Sequence, residues 1–165
     1  MKFNNFEANL KWALEQKESA IRSGFYDRLF PGKYQFVDND EHWARRGVDT
    51  LVDAGSCTLW IDEKIVRKRY SAFCLETWSC TARGREKDGW MRSSEADRLL
   101  YCFKTFAGFS CWWIDFKELQ RWFWPRIQNF RLHVEVEQNQ TASRLVPVIL
   151  VVQNVRCKNY EISLR

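Results

Sequence analysis

The sequence is poor in several features that mark large classes of protein. It has three prolines and seven glycines among 165 residues and no repeats, so no linker is indicated and we expect one domain over residues 1–165. Its longest apolar run, 145–152, is far shorter than the roughly 20 residues that cross a bilayer. The N-terminal segment lacks the apolar stretch of a signal peptide. We therefore expect a cytoplasmic protein without membrane contact.

Several catalytic and metal-binding motifs are missing as well. The six cysteines occur singly, without a C-x-x-C pair, which argues against a zinc knuckle. The absence of a glycine-rich phosphate loop argues against nucleotide hydrolases, and the absence of a glycine-flanked serine argues against serine hydrolases. The composition is instead 45% apolar and 16% aromatic, which argues against disorder and indicates a bulky core.

Three charged residues occur within runs that otherwise have the composition of buried strands. Asp49 lies in the apolar run 47–52, and Asp62 and Lys64 lie in the run 57–66. Because side chains alternate along a strand, Asp62 and Lys64 should project from one face and Glu63 from the other. We interpret Glu63 as structural, with a role as the metal ligand in place of Asp62 as the alternative if the register differs. Two carboxylates can hold a hard divalent cation beside a lysine that stabilises developing charge. The pattern predicts a hydrolytic metal site.

The relative position of Asp49 and Asp62 depends on the turn between the two strands. A three-residue turn over 54–56 would form a hairpin in which Asp49 lies opposite Ile61. Asp62 is then one residue beyond the position directly opposite Asp49. The two carboxylates share a face only if a bulge intervenes, which Gly47 or Gly55 would allow.

Hydrophobic periodicity predicts a mixed α/β fold around one central sheet flanked by helices. A helical spacing runs from Phe3 to Ile21 and ends near Gly24. Capping-box patterns predict helices that begin at Ser94 and at Asp115, and residues 80–92 form a polar loop. We expect strands over 47–53, 57–66, 72–79, 98–106, 109–114, 132–138 and 145–152.

Basic residues are concentrated in one window of the chain. Between Lys64 and Arg92, eight Lys or Arg residues outnumber three Asp or Glu residues, so this window carries the whole net charge of +5. A local basic field attracts polyanions, nucleic acid above all, although a solvated loop face is an equally good explanation. Trp90 lies in the same window and is a candidate for an exposed residue that stacks on a base.

The stretch from Gly47 to Tyr101 resembles the PD-(D/E)XK nuclease superfamily, and in particular its small phage and mobile-element members. The matching segments, in order, are GVDTLV, WIDEKIVRKRY, FCLETWS, the Gly-Trp pair at 89–90 and SSEADRLLYCF. The resemblance implies a restriction-endonuclease-like core and DNA as the partner, and it allows a homodimer. It also implies a bacterial host cell as the location if the protein is encoded by a phage or plasmid.

The resemblance assigns roles to individual residues. Asp49 and Asp62 would bind Mg²⁺ or Mn²⁺, and Lys64 would orient the attacking water and stabilise the transition state. Glu76 would be a supporting catalytic acid, with a salt bridge to Lys64 or a neighbouring arginine as the alternative, and Glu41 is a candidate third metal ligand. The residues expected to hold the DNA backbone are Arg67, Lys68, Arg69, Arg83, Arg85 and Lys87.

The expected function is hydrolysis of DNA phosphodiesters by a metal-activated water. The first alternative is a catalytically inactive module that keeps the nuclease fold and binds nucleic acid or a protein partner. The second is a phage or plasmid accessory protein that blocks a host system by contact alone. The joint presence of Asp49, Asp62 and Lys64 favours the enzyme, because an inactive member would usually have lost at least one of them.

Overall fold

The structure, a computed structural model, describes residues 11–13, 15, 21, 24–82, 85–135 and 140–163. The strands of these residues are β1 Tyr34–Phe36, β2 Thr50–Asp53, β3 Thr58–Val66, β4 Ala72–Cys80, β5 Lys87–Asp88, β6 Arg98–Lys104, β7 Gly108–Asp115, β8 Arg131–Val134, β9 Ala142–Pro147 and β10 Cys157–Ser163. The helices are α1 Asp27–Leu29, α2 Glu41–Arg45, α3 Trp90–Ser93, α4 Phe116–Phe123 and α5 Val148–Asn154, with a 3₁₀ helix at Trp124–Asn129. Most of the helix predicted over 3–21 lies outside the described residues.

The strands form two sheets. The first has the order β1-β2-β3-β6-β7-β10 and the second the order β5-β4-β9-β8. The first sheet is mixed, since β3 and β6 run parallel while the other pairs are antiparallel. The α/β class with a mixed sheet is thus confirmed, but the prediction of one central sheet is wrong. The edge of β3 that a third hairpin strand would use is taken by β6, so β4 pairs with β9 and β5 instead.

A shared hydrophobic core joins the two sheets. Phe73 on β4 and Val146 on β9 are fully buried in the same cluster as Leu99 and Phe103 on β6. The rings of Phe73 and Phe103 stack with their centroids 5.7 Å apart. Burial of aromatic side chains on this scale supplies a large part of the stability that holds the sheets together.

The pairing of β3 with β6 decides where the charged side chains of β3 project. Asp62 pairs with Leu99 and Lys64 pairs with Tyr101. Paired residues of neighbouring strands point to the same side of a sheet, and Leu99 and Tyr101 belong to the core between the sheets. Asp62 and Lys64 therefore face the space between the two sheets, while Glu63 faces the opposite side.

The two capping-box patterns have different outcomes. Asp115 caps α4 as predicted, since its carboxylate accepts a hydrogen bond from the Glu118 backbone N–H at 3.0 Å. The prediction of a helix that begins at Ser94 is wrong, because the chain passes from α3 into β6. The Ser94 hydroxyl instead donates to the carbonyl of Gly47 at 3.0 Å, a partner that lies 47 positions away in the chain.

The strand predicted over 145–152 is also wrong in its second half. β9 ends at Pro147, and α5 begins at Val148. Proline has no N–H with which to continue a ladder and fits readily before the first turn of a helix. Within the described ranges, no helix is long and apolar enough to cross a bilayer.

Candidate active site

Asp62 is a buried carboxylate on a central strand of the first sheet. It is 1% exposed, and one of its oxygens, Oδ1, pairs with the ammonium group of Lys64. The other oxygen, Oδ2, has no hydrogen-bond partner among the described residues. Burial raises the pKa of Asp62 from its ordinary value of 3.8 to about 6, against the opposing effects of Lys64 and the Ser94 hydroxyl. In this environment, nearby positive charge and hydrogen bonds do not fully compensate for the burial of the ionised carboxylate.

Asp49 lies beside Asp62 at the start of the hairpin, and its negative charge is a further cause of the raised pKa of Asp62. The hairpin turn has four residues, 54–57, because Asp53 pairs with Thr58. The predicted three-residue turn is therefore wrong, and the regular ladder pairs Ile61 with Thr50 rather than with Asp49.

The ladder becomes irregular at the position where Asp49 enters it. The Asp49 backbone N–H donates to the carbonyl of Ile61 at 2.8 Å, although Ile61 already pairs with Thr50. Two residues of one strand then oppose one residue of the other, as in a β-bulge. The side chain of Asp49 crosses to β3, where Oδ2 accepts a hydrogen bond from the Glu63 backbone N–H at 2.8 Å. This irregular step brings Asp49 to the part of β3 that carries Asp62.

Gly47 allows the approach of this segment to the connection before β6. Its φ of +65° lies in the left-handed region, and a Cβ atom there would come within 2.8 Å of the Ser94 side chain. Any larger residue would be strained in its backbone and would displace Ser94. Gly47 thus fixes the position of the Ser94 hydroxyl, which donates to the Gly47 carbonyl and lies near Asp62.

Glu63 has a structural environment on the opposite face of β3. Its Oε1 accepts hydrogen bonds from the hydroxyl groups of Tyr26 and Thr50, at 2.5 and 2.6 Å. All three side chains are buried, and Tyr26 belongs to a second hydrophobic cluster that includes Val52, Ile61 and Leu100. This agrees with the structural role that the sequence predicts for Glu63.

Glu76 approaches the site from the second sheet. Burial raises the pKa of Glu76, while a hydrogen bond from the Trp90 backbone and the charge of Lys64 lower it. Gly89 makes this approach possible, because a Cβ atom at Gly89 would lie 2.5 Å from the carbonyl oxygen of Glu76. β4, which carries Glu76, pairs with β9 and β5 in the second sheet. Glu76 therefore approaches Lys64 from the opposite sheet and not from a neighbouring strand.

Trp90 is not an exposed loop residue. It begins α3, is half-buried, and packs against the core with its ring centroid 6.0 Å from that of Phe116. The Lys64 ammonium lies over the indole ring, 5.2 Å from its centroid. Lys64 therefore contacts both the Asp62 carboxylate and an aromatic face.

Glu41 is not brought into the group formed by Asp49 and Asp62. It lies on α2 with its side chain 80% exposed, and its carboxylate pairs with Arg45 one turn later. Among the described residues, no group of three His, Cys, Asp or Glu side chains is placed to hold a metal ion. A cation at this site would have Asp49 and Asp62 as its protein carboxylates, with water in its other positions.

The basic residues of the predicted window fall into two groups. Arg67, Lys68 and Arg69 are exposed in the connection from β3 to β4, and Arg85 and Lys87 are exposed after the end of β4. Because β4 has nine residues, the groups lie at opposite ends of a strand roughly 27–30 Å long. Arg83 lies outside the described residues. Glu76, in the middle of β4, is between the two groups.

A cavity of about 210 Å³ opens beside Lys64, between the two sheets. Its wall includes Glu76, Trp90, Tyr101 and Ser143. The sequence does not single out Tyr101, Ser143 or Ser94 as site residues, because each is ordinary in its local sequence. Tyr101 reaches the site through the parallel pairing of β6 with β3, and Ser143 through the antiparallel pairing of β9 with β4. Ser94 is held there by its hydrogen bond to the Gly47 carbonyl.

Comparison of the chain with models of protein families, with curated proteins and with solved structures finds no match.

Proposed function

We propose that this chain is a metal-dependent DNA endonuclease of the PD-(D/E)XK type, with a restriction-endonuclease-like core built on β2, β3 and β6. The proposal rests on the resemblance of residues 47–101 to that superfamily and on the environment of Asp62. It includes an origin in a phage or mobile element and action in the cytoplasm of a bacterial cell. Asp49 and Asp62 are the metal ligands, and Lys64 is the catalytic cation.

The observation that carries the proposal is the unpartnered Oδ2 of Asp62. This oxygen is buried and has no hydrogen-bond donor among the described residues, while Oδ1 is held by Lys64. Leaving one side of a buried carboxylate unsatisfied is costly, and proteins keep such groups mainly where they bind a ligand or do chemistry. A divalent cation at Oδ2 would supply the missing charge.

The available donors suit Mg²⁺ or Mn²⁺. Both are hard cations that prefer oxygen, and Mg²⁺ commonly binds through one or two carboxylates while keeping several waters. When bound, such a cation activates a water molecule and neutralises charge on the phosphate. The described residues contribute Asp49 and Asp62, which fits a cation of this kind.

Lys64 has a defined task in this mechanism. Asp62 holds the Lys64 ammonium at the edge of the cavity, and the Lys64 side chain is 28% exposed, so a substrate phosphate can reach it. An ammonium there stabilises the negative charge that develops on the phosphate oxygens in the transition state. Glu76 lies close enough for the charge of Lys64 to influence its pKa, and it helps to hold that ammonium in place.

The basic groups provide a track for the DNA backbone. Arg67, Lys68 and Arg69 lie at one end of β4, and Arg85 and Lys87 at the other. Their separation of roughly 27–30 Å corresponds to about eight nucleotides of one strand at 3.4 Å each. Contacts of this type position the backbone and carry no sequence information. Glu76 and Lys64 then lie near the middle of the track.

A catalytically inactive module of the same fold, which binds nucleic acid or a protein partner, is the second candidate. The observation that favours it is the small number of possible metal ligands. Within the described ranges, no third Asp, Glu, His or Cys side chain joins Asp49 and Asp62. This module would keep the basic track and lack turnover. A phage or plasmid accessory protein that acts by contact alone belongs to the same class.

A cleavage assay separates the two candidates. The full chain is incubated with Mg²⁺, with Mn²⁺ or with EDTA on duplex, single-stranded, flap and four-way-junction DNA. The enzyme predicts metal-dependent cleavage of at least one substrate, lost in Asp62→Asn and retained in Asp53→Asn. Asp53 is an exposed residue of the same hairpin and serves as the matched control. DNA binding without cleavage on every substrate and metal would establish the inactive module.

A further inference from the structure

The cavity beside Lys64 has features that the hydrolysis of a phosphodiester does not require. It has a volume of about 210 Å³ and a wall that includes Glu76, Trp90, Tyr101 and Ser143. Lys64 belongs both to this wall and to the ion pair with Asp62. A group that fills the cavity therefore lies directly beside the proposed position of the scissile phosphate.

The lining of the cavity selects for chemistry other than phosphate. Glu76 and Glu135 both contribute to its wall, and their two carboxylates outnumber the one ammonium, that of Lys64, so the lining as a whole disfavours an anion. Carboxylates accept hydrogen bonds, so they favour a ligand that presents N–H groups. Tyr101 can donate, because its hydroxyl oxygen accepts a hydrogen bond from the Cys74 backbone N–H at 3.3 Å and its own proton remains available. The lining thus matches a ring with both donors and acceptors.

The volume of the cavity and the presence of Trp90 in its wall point to a flat ligand of limited size. Its volume is below the roughly 300 Å³ at which pockets for drug-sized ligands begin. An aromatic wall favours a planar ring, since bases stack on Trp, Tyr and Phe irrespective of sequence. A single heterocyclic base satisfies the size, the planarity and the hydrogen-bonding pattern together.

We propose that this cavity receives one unpaired nucleobase that carries an exocyclic amino group. The inference rests on the proposed function, because the base belongs to the nucleotide whose phosphate contacts Lys64. Cytosine, adenine and guanine have such a group, and thymine and uracil do not. Glu76 accepts the hydrogen bond from the amino group, and Trp90 provides the stacking surface. The substrate is then single-stranded DNA, or a duplex from which one nucleotide is turned out of the stack.

Lys64 links the two halves of this nucleotide site. Its ammonium now lies over the Trp90 ring, 5.2 Å from the centroid, while it pairs with Asp62. A base that stacks on the indole displaces the ammonium from the ring face. The ion pair with Asp62 then holds the ammonium beside the phosphate of the same nucleotide.

Free nucleosides test the cavity without any need for cleavage or metal. The full chain, labelled with ¹⁵N at its Trp indoles, is titrated in EDTA with 2′-deoxycytidine and with 2′-deoxyuridine, which differ at the amino position. The Trp90 indole signal is identified by its loss in Trp90→Phe, a variant that keeps an aromatic ring in the core. We expect deoxycytidine to shift this signal and to bind about tenfold more tightly than deoxyuridine, as the loss of one hydrogen bond to a charged group predicts.

Two variants decide the assignment. Glu76→Gln keeps the size of the side chain but can donate as well as accept, so it should reduce the preference for deoxycytidine to less than about threefold. Trp78→Phe, at an exposed tryptophan on the same strand, should leave both affinities unchanged. Equal binding of the two nucleosides, a preference that survives Glu76→Gln, or no shift of the Trp90 signal at millimolar nucleoside would each overturn the proposal.

The outcome is separable from that of the proposed function. A protein that binds deoxycytidine at Trp90 and never cleaves DNA has the base cavity and is not a nuclease. A protein that cleaves DNA and binds neither nucleoside is a nuclease without the base cavity.

Discussion

The substitution Asp62→Asn measures the energetic strain at the centre of the proposed site. Burial raises the pKa of Asp62 from 3.8 to about 6, so the folded protein favours the protonated form of this side chain. A difference of about two in pKa corresponds to about 3 kcal/mol. Asparagine has the shape of the protonated acid and no charge. We expect Asp62→Asn to increase the free energy of unfolding by about 2–3 kcal/mol at pH 8 in metal-free buffer.

The pH dependence of this difference follows from the direction of the pKa change. The pKa of Asp62 is higher in the folded state than in the unfolded state, so the contribution of Asp62 to the stability of the wild type is greatest below about pH 4. This contribution is lost as the pH rises from about 4 to about 6. The asparagine variant has no such loss at this position. Its advantage over the wild type should therefore be about half as large at pH 5 as at pH 8.

Urea unfolding followed by tryptophan fluorescence provides the measurement. Asp53→Asn, at an exposed position of the same hairpin, should change the free energy of unfolding by less than about 0.5 kcal/mol at either pH. Millimolar Mg²⁺ should stabilise the wild type and leave Asp62→Asn unchanged, because a ligand stabilises only the state that binds it. An asparagine variant that is no more stable than the wild type at pH 8 in EDTA would refute the reasoning, since Asp62 would then be satisfied by its protein partners.

Three other substitutions test separate parts of the molecule. Lys64→Ala should lower the single-turnover cleavage rate by about a thousandfold with little change in DNA affinity; normal chemistry with lost binding would make Lys64 a phosphate anchor instead. Reversal of Arg67, Lys68 and Arg69 to glutamate should weaken binding to all DNA sequences and reduce the slope of log affinity against log salt by about two to three, as three lost phosphate contacts predict. An unchanged slope would place the DNA elsewhere. Asp115→Ala should lower the free energy of unfolding by at least about 1–2 kcal/mol in urea titrations, because it removes the α4 cap together with the ion pairs to Arg98 and Arg156; Asp115→Asn, which can still accept the capping bond but carries no charge, should recover only the part due to the cap.

The sequence predicts the local elements of this fold well where the cause is local. The strands predicted over 57–66 and 98–106 correspond to β3 and to β6, which ends two residues earlier than predicted, and the Asp115 carboxylate caps the helix that follows it. Ser94 shows the limit of this approach. The same capping pattern occurs there, but its hydroxyl is used by Gly47, a distant partner that no local pattern reveals.

The arrangement of the strands is less predictable, because periodicity shows which face of a strand is buried and not which strand lies beside it. Residues 72–79 were correctly predicted as a strand, yet β4 belongs to the second sheet. The run of apolar, mostly β-branched residues after Pro147 resembles a buried strand in composition, and in the structure it forms the first part of α5. For the candidate site, the sequence predicts that Asp62 and Lys64 share a face, and the structure brings them into an ion pair. The position of Asp49 depends on an irregular backbone step that alternation alone does not predict.

The parallel pairing of β3 with β6 has a consequence for the order in which the molecule folds. The hairpin of β2 and β3 closes across a four-residue turn, whereas Trp60 and Asp97, at the start of the parallel pair, are 37 positions apart in the chain. Closing the longer loop loses more chain entropy and is slower, and β4 and α3 lie within that loop. Asp49 and Asp62 therefore meet early, as two hydrated carboxylates on an open hairpin. The desolvation of Asp62 comes only with the last and slowest contacts, so the rate of that final step should increase as the solution is made more acidic.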